Sequence, residues 1–265
     1  MRLLAAHGLR PDTELGQHFL LDENLVDLAV RQASVGPRDV VLEVGAGLGV
    51  LTVALARAAR TVHAIEMDRR LEAALADAIA GAGDVRVHWG DAMKLDLGAL
   101  DPPPTVLVAN LPYSIATPLV AESLWGLPRV ERWCVMAQRE VVDRWLAGPG
   151  SRLYGAPSVL IQLTAEATFR RAVGREVFAP RPRVDSALVA LRRIAPGPAP
   201  EVRAVVRAAF SARRKTLVNA LAGAGADRAR VVAALAAVGL PPAVRPEGVA
   251  PPAYAALGQE PLWPG

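Results

Sequence analysis

The chain has 265 residues, 52% of them apolar, a single cysteine and a formal net charge of +4. That length fits one large domain, or one domain with a smaller appendage, and the apolar share is enough for a sizeable core. No uninterrupted apolar run of ~18 residues occurs, so no membrane span is expected. The N-terminal stretch lacks the apolar segment of a secretory signal, and Cys134 has no partner within the chain, which together point to the cytoplasm.

Residues 1–21 read mostly as loop, ending in Gly16-Gln17-His18-Phe19-Leu20-Leu21. Asp22 is a helix N-cap, after which Leu25, Val26, Ala29, Val30 and Ala33 recur at helical spacing until Gly36-Pro37. A buried strand over 39–44 runs into Glu43-Val44-Gly45-Ala46-Gly47-Leu48-Gly49 and a helix over 50–59. A second strand, 61–65, ends in Glu66, a helix covers 69–80, and a third strand, 85–89, ends in Gly90-Asp91-Ala92. The apolar run 105–109 predicts a buried parallel strand ending at Asn110-Leu111-Pro112-Tyr113. A helix from Pro118, a strand near 132–136 and a helix over 139–146 continue the alternation. Strand alternating with helix in this way is an α/β chain with a doubly wound parallel sheet.

The pattern then changes. Residues 164–173 and 185–192 read as an antiparallel pair finishing the sheet, with a turn at Pro180-Arg181-Pro182. Ala195-Pro196-Gly197-Pro198-Ala199-Pro200 is a linker by composition, so the domains are placed at 1–195 and 196–265. Helices are expected over 201–222 and 228–238, with a short one at the end. Residues 1–195 carry 22 basic and 22 acidic side chains, whereas 196–265 carry 8 basic and 4 acidic. The excess positive charge therefore sits in the tail, as expected for contact with a polyanion.

Polar residues at the strand ends carry the chemistry. A dinucleotide fingerprint would want a third glycine three residues after Gly47, where Val50 stands. The spacing Gly45-x-Gly47-x-Gly49 suits S-adenosylmethionine, which has no pyrophosphate for the following helix to bind. Glu66 can accept from both ribose hydroxyls, Asp91 from the amine of the cofactor's adenine, and Asn110 ends the next strand along the same crevice. The four histidines, 7, 18, 63 and 88, show no metal-ligand spacing, so no metal is expected.

The Asn110 side-chain oxygen and the Leu111 carbonyl can each accept a hydrogen bond from an exocyclic amine. Pro112 holds those acceptors in place, and Tyr113 offers a flat face for a flipped-out base. An amine gripped this way has its lone pair aimed at an electrophile, a device for methylating adenine at N6. The plainer alternative is a strand-to-turn exit, since Asn and Pro are common turn residues.

These stretches resemble the ribosomal RNA adenine N6,N6-dimethyltransferases of the small subunit, with the Erm resistance methylases as cousins. The resemblance also rests on Leu15-Gly16-Gln17-His18-Phe19-Leu20, Gln138-Arg139-Glu140-Val141, Tyr154-Gly155-Ala156-Pro157-Ser158-Val159, Phe178-Ala179-Pro180-Arg181-Pro182-Arg183-Val184-Asp185-Ser186 and Phe210-Ser211-Ala212-Arg213-Arg214-Lys215. It implies a Rossmann-like class I methyltransferase with a mostly parallel seven-stranded sheet and a small C-terminal helical domain. It further implies a cofactor site of His18, Leu20, Gly45, Gly47, Glu66, Asp91, Ala92 and Asn110. Asn110 and Leu111 would hold the target amine, fixed by Pro112, with Tyr113 on one face of the adenine and Phe178 closing on the other. The helical tail would dock rRNA through Arg203, Arg207, Arg213, Arg214 and Lys215, with Arg203, Arg207 and Arg214 on one helical face.

The implied substrate is two adjacent adenosines in the 3′-terminal hairpin loop of 16S rRNA, within a precursor of the small ribosomal subunit, met by a monomer without metal or membrane. An Erm-type enzyme acting on 23S rRNA and an assembly factor that keeps the fold without catalysis are the alternatives. An NAD-linked oxidoreductase is disfavoured by the glycine spacing.

Overall fold

A computed structural model describes residues 4, 6–12, 15–212 and 214–264 of the chain. The elements that position the cleft run in order as β1 (Phe19–Leu20), α1 (Glu23–Gln32), β2 (Val40–Val44), α2 (Val50–Ala58), β3 (Thr61–Glu66), α3 (Glu72–Ile79), β4 (Val85–Trp89) and β5 (Val106–Asn110). They continue through α4 (Ala116–Gly126), β6 (Arg132–Gln138), α5 (Arg139–Leu146), α6 (Ala156–Gln162), β7 (Ala165–Val173), β8 (Phe178–Ala179) and β9 (Ser186–Arg193). The rest is α7 (Pro200–Phe210), α8 (Leu217–Gly223), α9 (Arg228–Ala237) and α10 (Pro251–Leu257). Among the described residues no helix is long and apolar enough to cross a membrane.

Seven strands form one sheet in the order β4-β3-β2-β5-β6-β9-β7, and β2 to β6 are mutually parallel. β9 joins antiparallel to β6, with Ser186 opposite Gln138. The mostly parallel α/β sheet is thus as the alternation predicts. Its central strands are apolar at nearly every position because both faces are covered: Val41, Leu42, Val62, Val106, Leu107 and Cys134 are all buried. Burying each such aliphatic side chain contributes about 1.5–3 kcal/mol. Burial also pushes the Cys134 thiol up to about 12, leaving it an inert core group.

Local chemistry sets the element ends. Asp22 caps α1 by accepting from the Asn24 and Leu25 amides. α4 begins before Pro118, which sits in its first turn, where the missing N–H removes no helical bond. At its far end the Arg193 guanidinium donates to the Leu124, Leu127 and Val130 carbonyls while stacking 4.9 Å above the Trp133 ring.

Several details differ from the sequence reading. Residues 19–20 are not loop: β1 pairs antiparallel with β8, Leu20 opposite Phe178. The helix expected over 69–80 opens as a 3₁₀ turn, Arg69–Leu71, capped by Asp68, before α3. α6 lies in a stretch with no predicted element, and its Ser158 donates to the Arg144 carbonyl. The single helix expected over 201–222 is two, because Ser211 turns back onto Ala208 and Thr216 caps α8 by accepting from Asn219.

Compactness also divides the chain differently from the 195/196 boundary. One unit comprises Met1–Val142 and Ala167–Arg193, the other Asp143–Glu166 and Ile194–Gly265. The reason is packing in the second unit. Tyr154 donates to the Val249 carbonyl and Tyr254 to the Pro246 carbonyl, each at 2.8 Å, and the Phe210 ring lies within 5.9 Å of both tyrosines.

Candidate active site

β2, β3, β4 and β5 are parallel, so the residues after them emerge on one edge of the sheet. Between β2 and β5 the strand order reverses, and the connections diverge to leave a crevice. A cleft of about 310 Å³ lies there, within the range of small-ligand pockets. It is lined by His18, Leu20, Gly45, Gly47, Glu66, Asp91, Ala92, Asn110, Leu111, Pro112 and Tyr113, which gathers every expected cofactor residue and most of the expected catalytic ones.

Gly45 and Gly47 have φ of +81° and +56°, the left-handed region that side chains strain. A Cβ on Gly47 would also stand 3.1 Å from the Phe19 ring. The turn they make lets the Gly47 amide donate to Glu66 Oε2 at 2.8 Å, while Oε1 accepts from the Met67 and Asp68 amides. Three backbone donors thereby orient one carboxylate at the end of β3. The Gly90 amide donates to the Glu66 carbonyl at 2.8 Å, which sets Asp91 beside it. Asp91 Oδ1 accepts from the Met93 amide at 3.0 Å.

Asn110 is oriented by its nitrogen: Nδ2 donates to the His18 carbonyl at 3.1 Å, leaving Oδ1 as the end uncommitted among the described residues. The next backbone turn is fixed by Leu111 donating to the Met136 carbonyl and Ile115 to that of Pro112. Tyr113 is held at both ends of its ring. Its hydroxyl lies 3.0 Å from Ser186 Oγ, and its ring centroid lies 5.8 Å from that of His18. Burial raises its pKa against the pull of the Ser186 bond, so it stays a neutral phenol. His18 is in turn anchored through Nδ1, which donates to the Pro180 carbonyl at 2.8 Å.

One expected site residue lies apart from the rest, and one expected arrangement needs correction. Phe178 does not line the cleft; it is 4% exposed and belongs to the same buried cluster as Leu20, Val173 and Leu188, because β8 turns it into the core. Arg203, Arg207 and Arg214 do not share one helical face, since α7 ends at Phe210. Arg207, Arg214 and Lys215 are exposed and Arg203 is half-buried, all in the second unit; Arg213 lies outside the described residues.

The sequence reading gave no role to Glu43, which lines the cleft while 1% exposed. Its Oε2 has no hydrogen-bond partner among the described residues. Burial pushes its carboxyl up to about 8, the nearby Glu66 adding to that and the Thr52 hydroxyl opposing it. The available signal was a carboxylate inside an otherwise apolar strand. Gln17 and Ser186 were also given no role, although Gln17 donates to Asp68 at 2.7 Å and Ser186 meets Tyr113.

Residues 8–238 match the family model described as ribosomal RNA adenine dimethylase. The chain is 47% identical over 269 residues to the ribosomal RNA small subunit methyltransferase A of Streptomyces avermitilis, covering 97% of this chain and 90% of that one. To the protein of the same name from Rubrobacter xylanophilus it is 46% identical, covering 96% of both. Among solved structures it resembles a dimethyladenosine transferase from Plasmodium falciparum, with TM-score 0.76, 25% identity, and 91% of this chain and 96% of that one covered. The 23S rRNA methyltransferase ErmE matches with TM-score 0.68 and 29% identity, over 91% of this chain and 98% of its own.

Proposed function

Since the chain belongs to the ribosomal RNA adenine dimethylase family and is an rRNA adenine dimethyltransferase, we propose that it uses S-adenosylmethionine to dimethylate N6 of two adjacent adenosines. These lie in the 3′-terminal hairpin loop of 16S rRNA, met in a precursor small subunit by a monomer in the cytoplasm. The observation that carries the reading is the Asn110 amide, tied through its nitrogen to the His18 carbonyl so that its oxygen is left to accept. With the Leu111 carbonyl and the Tyr113 ring on the same cleft, it forms a seat for an aromatic amine.

The cofactor fits the donor set. Glu43 presents a buried carboxyl oxygen, unpartnered among the described residues and suited to a cationic group, while Glu66 and Asp91 supply acceptors for hydroxyls and an amine. His18, Leu20, Gly45, Gly47, Glu66, Asp91, Ala92 and Asn110 would hold it, and when bound it supplies an electrophilic methyl group. Asn110 Oδ1 and the Leu111 carbonyl accept the two N6 hydrogens and stabilise the positive charge that grows on that nitrogen. Pro112 fixes both acceptors, and Tyr113 stacks on the adenine. No strong base is needed, because the N6 proton leaves to water once its nitrogen is alkylated. Phe178 is buried beside Leu20, which lines the cleft, and it seats β8 from there.

Residues 196–265 dock rRNA through Arg203, Arg207, Arg213, Arg214 and Lys215, in keeping with 8 basic against 4 acidic residues. A hairpin-loop target is physically apt, since single-stranded adenosines are cheap to extrude. Asn110→Ala tests the seat: removing one such acceptor lowers turnover about 10²–10³-fold, while calorimetric affinity for S-adenosylmethionine falls far less. Unchanged turnover contradicts the assignment.

A further inference from the structure

The loop 180–185 links the two anchors of the target-base seat. At its start the Pro180 carbonyl accepts from His18 Nδ1, and the His18 carbonyl accepts from Asn110. At its end β9 opens with Ser186, whose Oγ meets the Tyr113 hydroxyl at 3.0 Å. The backbone between is braced by arginines from neighbouring elements. Arg175 Nη1 donates to the Arg183 carbonyl at 3.4 Å, the Arg139 amide donates to the Asp185 carbonyl at 3.0 Å, and Arg139 Nη1 lies 3.6 Å from Asp185 Oδ2.

The loop turns charge and apolar surface outward. Arg181 and Arg183 are exposed, Val184 is 45% exposed, and Leu21, whose amide donates to the Val177 carbonyl, is 47% exposed. Charge counted over whole domains hides this. Residues 165–193 hold seven arginines and three carboxylates, although 1–195 as a whole are balanced. Guanidinium forks match phosphate oxygens, and aliphatic side chains between them suit the faces of riboses and bases.

Resting on the rRNA reading above, we propose that the loop 180–185 is a second RNA-binding element, in which Arg181 and Arg183 grip the phosphates flanking the adenosine being methylated. It holds the strand beside Tyr113 and adds to the affinity that the sequence-distant tail supplies.

The test compares Arg181→Gln/Arg183→Gln with Arg38→Gln/Arg60→Gln, a pair of exposed arginines that precede β2 and β3 at the opposite ends of the strands. The probe is a fluorescein-labelled hairpin RNA with adenosines in its loop, titrated by anisotropy over a range of KCl concentrations, with methyl-transfer kinetics alongside. Removing two phosphate contacts weakens binding about tenfold and reduces the slope of log K against log[salt] by about 1.4. KM for RNA rises, kcat at saturating RNA holds, and affinity for S-adenosylmethionine is unchanged; the control pair keeps the parent slope. A loop variant with the parent slope, or a control that loses as much, overturns the clamp alone. A parent protein with no salt-dependent affinity for the hairpin overturns the rRNA reading together with it.

Discussion

Glu43 is a carboxylate buried in the wall of the cleft. Its carboxyl lies at about 8 because burial disfavours the charged form and Glu66 repels it. Its unfolded value is 4.5, so the folded protein binds that proton more tightly. The resulting stability is fully present below 4.5 and is lost as pH rises through 8. A cationic ligand reverses the preference, so binding S-adenosylmethionine releases a proton and tightens as pH rises toward 8. Calorimetry in buffers of differing ionisation enthalpy, with melts on either side of neutrality, measures both effects. Glu43→Gln removes the proton release and flattens the pH dependence of melting; proton release surviving in that variant contradicts the role. That Asn110, Glu66 and Asp91 line one cleft was legible in the sequence because each ends or closely follows a strand of the parallel sheet. Ser186 was not, because its meaning depends on Tyr113, 73 residues away.

At the scale of elements, the long apolar strands and their intervening helices were readable, since each repeats a period over several residues. The pairing of β1 with β8 was not, because strands of two residues have no period. That pairing decides the part Phe178 plays. With Leu20 opposite it and the ring in the core, Phe178→Ala costs about 3–5 kcal/mol, seen as a lower midpoint in denaturant, and Phe178→Leu recovers most of it. A Phe178→Ala protein that melts like the parent yet fails to transfer methyl would return the residue to a stacking role. The break between α7 and α8 escaped for a different reason. Residues 211–216 keep helix-compatible composition, and it is the Thr216 cap that restarts the helix.

For the molecule as a whole, alternation predicted the parallel sheet, and the strand ends predicted one crevice, which the structure places at the switch between β2 and β5. The compact units were not legible, because residues 143–166 join the second unit through tertiary bonds such as Tyr154 to Val249. The charge of the tail was legible, while the arginines around β8 were masked by acidic residues elsewhere in 1–195. What unites these features is the proposed function, a cleft to seat an adenine amine and surfaces to receive RNA. The most direct test is transfer of labelled methyl from S-adenosylmethionine to unmethylated small ribosomal subunits, with free 23S rRNA in parallel, followed by nucleoside mass spectrometry. Dimethyladenosine is expected in 16S rRNA alone, at two adjacent positions of the 3′-terminal hairpin loop. Label confined to 23S rRNA, or cofactor binding with no label in either RNA, would contradict the proposed function.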